Sequence, residues 1–209
     1  MSYEAVADGE LATVVTFLEM HAPPALPTPP TPPSPHSPLS LRPIAPDLAE
    51  YRRLFRLVGA RWLWFSRLVM DDTELGAIIG HPKVELFVVS DDHGHEAGLL
   101  ELDFRQEEQC ELAFIGLVPE LAGHGHGRWL LAAALELAWR ESVGRVHVHT
   151  CTLDHPAALA AYRRAGFIAY GRAVERFLDP RLLGILPLDC APQLPLVGTL
   201  ASAAVSPVS

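Results

Sequence analysis

The chain has 209 residues, of which 49% are hydrophobic, which is enough for one domain with a buried core and an appendage. Its formal net charge of −9 argues against a surface devoted to nucleic acid, because such surfaces are usually basic. The three scattered cysteines exclude a disulfide framework, and no apolar run approaches the roughly 20 residues of a membrane-spanning helix.

Residues 1–20 contain acidic side chains but no lysine or arginine. A secretory signal begins with basic residues and continues with an apolar run, so this start predicts a cytoplasmic protein. We also expect neither a membrane nor a nucleic acid as a partner.

Composition divides the chain into four segments. Residues 1–21 form a strand-like extension, because residues 12–20 are rich in β-branched side chains, and we expect it to dock as an added strand on this domain or on a partner subunit. Residues 22–38 form a linker dominated by proline, which fixes φ and lacks the backbone N–H. Residues 39–178 carry the periodic patterns of the main domain, and residues 179–209 form a tail rich in Leu, Pro and Ala without a clear period.

The main domain is predicted to combine hairpins with strand-to-helix units. Asp47 is a typical N-cap for its first helix, and Gly80 is a typical end for its second. The predicted order is a strand at 39–44, helices at 48–58 and 72–79, strands at 84–90, 97–105 and 110–118, a helix at 128–142, a strand at 145–151, a helix at 155–165 and one or two strands over 167–177. This pattern indicates an α/β (α+β) domain with a mixed sheet covered by helices on both faces.

The sharpest local pattern is a glycine-rich loop between a strand and the long helix. It contains three alternating glycines, two histidines and a following arginine: Gly123, His124, Gly125, His126, Gly127 and Arg128. Glycines let consecutive N–H groups point at one anion, and the helix N-terminus adds its own unpaired N–H groups, so the loop predicts a pyrophosphate site. We expect both histidines to be solvated and to contact phosphate when protonated. A Walker loop requires Gly-Lys-Ser/Thr and a dinucleotide fingerprint requires wider glycine spacing, so neither fits.

Residues 122–127, Ala-Gly-His-Gly-His-Gly, resemble the coenzyme A-binding motif of the GNAT N-acyltransferases, Gln/Arg-x-x-Gly-x-Gly/Ala, with Ala122 in place of Gln or Arg. Residues 155–167, His-Pro-Ala-Ala-Leu-Ala-Ala-Tyr-Arg-Arg-Ala-Gly-Phe, are similar to the family's Asn-x-x-Ala-x-x-x-Tyr-x-x-x-Gly-Phe, with His155 in place of Asn. The resemblance covers residues 39–177. It implies a three-layer α-β-α sandwich whose mixed, mostly antiparallel sheet splays between the fourth and fifth core strands.

The resemblance implies an N-acetyltransferase that moves an acetyl group from acetyl-CoA to a primary amine of a small molecule or peptide by direct attack. Tyr162 matches the tyrosine that protonates the leaving thiolate, a role that suits a phenol. The residues expected to bind coenzyme A are Leu117, Val118, Gly123, His124, Gly125, His126, Gly127, Arg128 and His155.

Two residues compete for the role of general base. Glu111 matches the position of the base in the histone acetyltransferase branch of the family, and His149 is the alternative because imidazole titrates near neutral pH. The resemblance places Trp62, Trp64 and Phe65 at the acceptor pocket, and packing in the core is the alternative for each.

Glu101 and Asp103 are interpreted either as ligands of a cationic amine or as part of a solvated strand face. The departures at Ala122 and His155 keep open a GNAT-like module that senses acyl-CoA without turnover. A third reading is a metal protein built on the alternating His147, His149 and Cys151, although such residues on one strand more often pack, so we expect no metal. A homodimer and the identity of the acceptor stay open.

Overall fold

The computed structural model describes residues 3–24 and 39–198, so most of the predicted linker at 22–38 and the end of the tail lie outside the described residues. The described residues form seven strands and four helices: β1 Glu10–Met20, β2 Ser40–Ile44, α1 Leu48–Gly59, α2 Asp72–Ile79, β3 Val84–Ser90, β4 Glu96–Asp103, β5 Gln109–Leu117, α3 His126–Ala138, β6 Arg145–Cys151, α4 Ala158–Arg164 and β7 Ile168–Leu178. None of these helices combines the length and apolarity needed to cross a membrane.

All seven strands belong to one sheet with the order β2-β3-β4-β5-β6-β1-β7. Every neighbouring pair is antiparallel except β5 and β6, which run parallel. This arrangement confirms the predicted mixed, mostly antiparallel sheet.

The parallel pair separates soon after it begins. Only three residues of each strand are paired, namely Gln109 with Arg145, Cys110 with Val146 and Glu111 with His147. Farther along β5, the register with β4 shifts between Glu101 and Leu102, the irregularity of a β-bulge, and a bulge bends its strand. The predicted splay between the fourth and fifth strands of the 39–178 domain is therefore confirmed. Within residues 3–24 and 39–198, one edge of β5 has no partner strand beyond Glu111.

Helices cover both faces of the sheet, which confirms the three-layer architecture. On one face, α1 and α2 pack on β3 and β4 through a cluster that includes Phe55, Leu75 and Leu99. On the other face, α3 packs on β4 and β5 through a cluster that includes Leu100 and Leu135. Successive strand residues point to opposite faces, so Leu99 and Leu100 serve different clusters.

The caps of the first two helices follow from local chemistry. The Asp47 carboxylate accepts a hydrogen bond from the Glu50 N–H (2.8 Å), and Asp71 and Glu74 form a reciprocal capping box. The prediction of 128–142 for the third helix is wrong at both ends, because α3 begins at His126 and ends at Ala138. The Arg140 guanidinium donates to the Leu137 carbonyl (3.1 Å) and so satisfies a C-terminal acceptor of this helix.

The N-terminal strand β1 lies inside the sheet, between β6 and β7, rather than at an outer edge. Leu18 stands between Val148 of β6 and Ala169 of β7, and its side chain is fully buried. The first strand in sequence therefore joins the last two, which do not pair with each other.

The described part of the tail packs against the domain. Arg181 and Asp179 form a buried ion pair (2.7 Å), and Arg181 also donates to the carbonyl of Leu194 (3.0 Å). Leu186 and Ala191 pack with Leu63 in a separate apolar cluster. The tail thus contacts the segment that follows α1, where the aromatic residues of the predicted acceptor pocket lie.

Candidate functional site

A cavity of about 590 Å³ opens where β5 and β6 diverge. Its walls come from the loop before α3, the segment after α1, the divergent halves of β5 and β6, helix α4, and strands β1 and β7. Most of the predicted site residues line it: Trp62, Trp64, Phe65, Leu117, Val118, Gly123, Gly125, Gly127, Arg128, His149, His155 and Tyr162. Glu111, His124 and His126 do not line it.

The glycine-rich loop presents backbone N–H groups at one end of this cavity. Gly123 and Gly125 have φ values of +83° and +82°, a conformation that side-chain-bearing residues rarely adopt, and Gly125 is the N-cap of α3. Arg128 donates its N–H to the Gly125 carbonyl (3.1 Å), whereas within the described chain no backbone hydrogen bond is donated by residues 123–127. Such unpaired donors at a helix N-terminus form an anion site, and this fits a pyrophosphate.

The space in front of the loop is open. A Cβ atom added at Gly127 would meet no other atom within 4 Å, and Gly127 has no positive φ. Two guanidinium groups, on Arg128 of α3 and Arg164 of α4, also line the cavity. Arg164 carries no recognisable sequence pattern of its own, so sequence reasoning missed it.

The expectation that both loop histidines are solvated is wrong for His126. Its side chain is only 4% exposed, and its Nδ1 has no hydrogen-bond partner among the described residues. Burial, together with the nearby His124, lowers the pKa of His126. The reason for the burial is that α3 begins two residues earlier than predicted, so His126 is the first helical residue and not a loop residue.

The two candidates for the general base lie side by side. His149 Nδ1 is 3.4 Å from Glu111 Oε1. The interaction with Glu111 raises the pKa of His149, and the interaction with His149 lowers the pKa of Glu111. The His149 side chain is about half exposed and lines the cavity, whereas Glu111 lies behind it. The pair can therefore act as one unit, with the imidazole facing the cavity.

His147, two residues earlier on the same strand, has a different environment. Burial lowers its pKa, and its Nε2 has no hydrogen-bond partner among the described residues. In the part of the chain that the structure describes, no three His, Cys, Asp or Glu side chains are grouped as metal ligands.

Tyr162 lies on α4 and is 91% buried, at the wall of the cavity. Burial raises its pKa, and the carboxylate of Asp154 raises it further, so the phenol keeps its proton at neutral pH. Asp154 is itself fixed by the Thr150 hydroxyl (2.7 Å), the Cys151 N–H (2.8 Å) and the Trp64 indole N–H (3.3 Å).

All three aromatic residues predicted at the acceptor pocket line the cavity, and each has a defined neighbour. The ring centroid of Trp62 is 5.1 Å from that of His155, and that of Phe65 is 5.0 Å from that of Phe177. Trp64 packs on α1 so closely that a Cβ atom at Gly59 would lie 2.5 Å from it. These three aromatic residues therefore pack against the domain and also line the cavity.

The turn before α4 differs from the prediction. His155 Nδ1 accepts a hydrogen bond from the N–H of Ala157 (3.1 Å) in this turn, and the helix begins at Ala158 and not at 155 as predicted.

Glu101 and Asp103 are neither ligands for a cationic amine nor part of a solvated strand face. Glu101 is fully buried and paired with Arg67 (2.6 Å).

Asp103 is likewise nearly buried, and it is paired with Arg105 (2.6 Å). Neither carboxylate lines the cavity. Arg67 and Arg105 neutralise the charges of Glu101 and Asp103 within the protein, and the sequence did not reveal these two pairs.

Comparison with known proteins gives a family and a fold. A model of the acetyltransferase (GNAT) family matches residues 50–167. The structure is similar to a GCN5-related N-acetyltransferase from Sphaerobacter thermophilus, with a TM-score of 0.53 and 18% identity over 82% of this chain and 52% of that one. It is also similar to a functionally unknown conserved protein from Staphylococcus epidermidis, with a TM-score of 0.52 and 13% identity over 82% of this chain and 63% of that one.

The chain spans less than two thirds of the length of either structure. At these identities the likeness concerns the fold alone. No curated protein matches the sequence significantly.

Proposed function

Because the chain belongs to the GNAT acetyltransferase family, whose model matches residues 50–167, we propose that it is an N-acetyltransferase that uses acetyl-CoA and a primary amine of a small molecule or peptide. One observation carries this proposal. A single cavity combines unpaired N–H donors at a helix N-terminus, a histidine backed by a carboxylate, and a tyrosine that keeps its proton.

The cofactor would be held by the loop before α3 and by the free edge of β5. The N–H groups of residues 123–127, with Arg128, suit the pyrophosphate. Leu117 and Val118 lie where β5 is no longer paired with β6, and although the Val118 N–H donates to the Ala97 carbonyl of β4, the opposite edge of β5 suits an amide-containing arm. Acetyl-CoA supplies the thioester whose acyl group is transferred.

His149 is the proposed general base, with Glu111 as the residue that positions it. A protonated amine is not nucleophilic, so it must lose a proton before or during attack. The neutral imidazole can accept that proton at Nε2 while Nδ1 faces Glu111. The carboxylate then stabilises the imidazolium, which is consistent with the raised pKa of His149.

Tyr162 is the proposed general acid. In the reaction the amine nitrogen forms the new bond to the acyl carbon, the bond from that carbon to sulfur breaks, and the sulfur needs a proton. Tyr162 keeps its proton at neutral pH, lines the cavity and has no hydrogen-bond acceptor among the described residues. The family resemblance, not a bound ligand, assigns the phenol to the sulfur.

The second candidate function is an acyl-CoA sensor without turnover, and Ala122 and His155 are the residues that favour it because they replace the usual polar motif residues. The test is to measure coenzyme A binding by calorimetry and amine-dependent thiol release with a panel of primary amines. Binding with thiol release and a mass-verified acetylated amine supports the enzyme. Binding without release from any amine supports the sensor, and absence of binding contradicts both.

A homodimer is compatible with the exposed edge strand β7, which carries exposed Ile168, Tyr170 and Val174. Light scattering at several concentrations tests that assembly.

A further inference from the structure

The charges that line the cavity are separated. Its arginines, Arg128 and Arg164, lie on helices α3 and α4, and Arg128 directly follows the loop proposed to hold phosphate. Its two carboxylates, Asp154 and Glu175, lie beyond β6 and on β7, beside the aromatic segment after α1. An anionic ligand group and a cationic ligand group would thus prefer different parts of the same cavity.

The two carboxylates differ in their hydrogen bonds. Asp154 accepts three hydrogen bonds, whereas the Glu175 carboxylate has no hydrogen bond or ion pair among the described residues. The adjacent Arg176 does not neutralise it, because successive strand residues point to opposite faces and Arg176 pairs with Glu4 (2.6 Å). Glu175 is therefore an exposed carboxylate at the cavity wall without a hydrogen bond or ion pair in the described part of the chain, and its negative charge contributes to the raised pKa of His149.

Glu175 and His149 share one face of the sheet, with β1 between them. Glu175 stands opposite Thr13, and His149 stands opposite Phe17, four residues farther along β1. With strands ~4.8 Å apart and a rise of ~3.4 Å per residue, their backbones lie roughly 17 Å apart. Both side chains extend into the same cavity, so one elongated ligand can contact both.

We propose that the acceptor is an amine whose chain carries a second positive charge, which Glu175 binds while the reacting nitrogen lies at His149. Val15 and Cys151 stand between the two in the register of the sheet and line the same cavity, so this stretch of the wall suits an aliphatic chain. Glu175 is thus a specificity-determining residue. The assignment of the reacting nitrogen to His149 rests on the proposed function, whereas the binding of the second positive charge by Glu175 does not.

The test compares two ligands with the same eight-carbon chain on protein saturated with coenzyme A. Diaminooctane has an amino group at each end, whereas octylamine lacks the second amino group and its charge. Calorimetry should show that the wild type binds the diamine about fivefold more tightly, the scale of one partly exposed ion pair, and that salt weakens this preference. Glu175→Gln should equalise the two affinities. Glu136→Gln, an exposed residue of α3 outside the cavity, makes the same change in net charge and should leave the preference intact.

Failure of this inference and failure of the proposed function give different results. If the wild type transfers acetyl groups but binds both ligands equally, or if Glu175→Gln keeps the preference for the diamine, the inference is overturned and the enzyme remains. If no amine releases thiol but the diamine preference depends on Glu175, the charged site stands and the proposed catalysis falls. A melting temperature that matches the wild type establishes that Glu175→Gln is folded, and Glu175→Asp, which keeps the charge, should retain part of the preference.

Discussion

His149 Nδ1 lies 3.4 Å from Glu111 Oε1, across the last paired residues of the only parallel strands in the described sheet. Glu111 is in register with His147, and His149 follows two residues later on the same face. The two residues that the sequence offered as competing bases are therefore neighbours. Both residues can therefore take part in proton transfer, His149 as the group that accepts the proton and Glu111 as the carboxylate that raises the pKa of His149.

The pH dependence of activity separates these contributions. If His149 is the base, kcat/KM should rise with pH through a pKa above its ordinary value of about 6.5, because the imidazole must be neutral and Glu111 raises its pKa. Glu111→Gln removes that carboxylate, so the rise should move to lower pH. His149→Gln should lower kcat/KM about 10²-fold or more and remove the rise.

Comparing each variant with the wild type on one acceptor cancels the titration of the acceptor itself. If Glu111 takes the proton directly, Glu111→Gln should lower the rate at every pH without moving the profile, and His149→Gln should be mild. That result would contradict the assignment of His149.

Tyr162→Phe tests whether Tyr162 donates the proton to the leaving sulfur. This substitution keeps the ring and removes only the hydroxyl. We expect kcat to fall about 10²-fold while coenzyme A affinity stays nearly unchanged, since the general acid acts in the chemical step. Tyr170→Phe is a matched control, because Tyr170 is half exposed on β7 and does not line the cavity. Full activity of Tyr162→Phe would remove the assignment.

The phosphate end is tested at Gly127, where a side chain meets open space and the backbone has no positive φ. Gly127→Asp places a negative charge in the proposed anion site without backbone strain, so calorimetry should show loss of coenzyme A binding. Gly127→Ala should bind with at most a modest loss and should melt no lower than the wild type, since alanine favours helix. Unchanged affinity of a folded Gly127→Asp would refute the phosphate cradle.

The strand β1 should be indispensable to the sheet, although it is the first in sequence. Deletion of residues 1–21 leaves β6 and β7 without the strand that pairs with both, so we expect an aggregated or unfolded protein. The point substitution Leu18→Ala should lower the free energy of unfolding by about 2–5 kcal/mol, because Leu18 is fully buried. Leu57→Ala on α1, which is 43% exposed, is the control and should change it little. A soluble deletion variant with unchanged melting would contradict this role of β1.

The tail should stabilise the domain through its ion pair. Arg181→Met leaves Asp179 buried without its cation, so the free energy of unfolding should fall by about 3–5 kcal/mol. Arg176→Met breaks the exposed pair with Glu4 and should change it by less than about 1 kcal/mol. Denaturant titrations measure both values, and equal effects would mean that the tail is not held as described.

Local chemistry was sufficient for most of the elements. Asp47 caps α1 and Gly80 ends α2 as predicted, because capping and turn preferences depend on residues only a few positions apart. The predicted start of α4 at 155 is wrong, because the helix begins at Ala158 and no side-chain cap marks its start. The sequence left open one or two strands over 167–177, and the structure has the single strand β7. The early start of α3 was missed because Gly125 caps the helix through a positive φ and not through a side chain.

Local patterns and motif matches were sufficient to predict the mixed sheet, the glycine-rich loop and the candidate residues Glu111, His149 and Tyr162. Long-range packing was needed to reveal the insertion of β1 between β6 and β7, the pairing of Glu111 with His149, and the position of Glu175 at the cavity wall. The physical reason is the same in all three cases. Strand pairing joins residues that are far apart in sequence, and the partners of β1 lie more than a hundred positions away. No local pattern encodes which strands become neighbours.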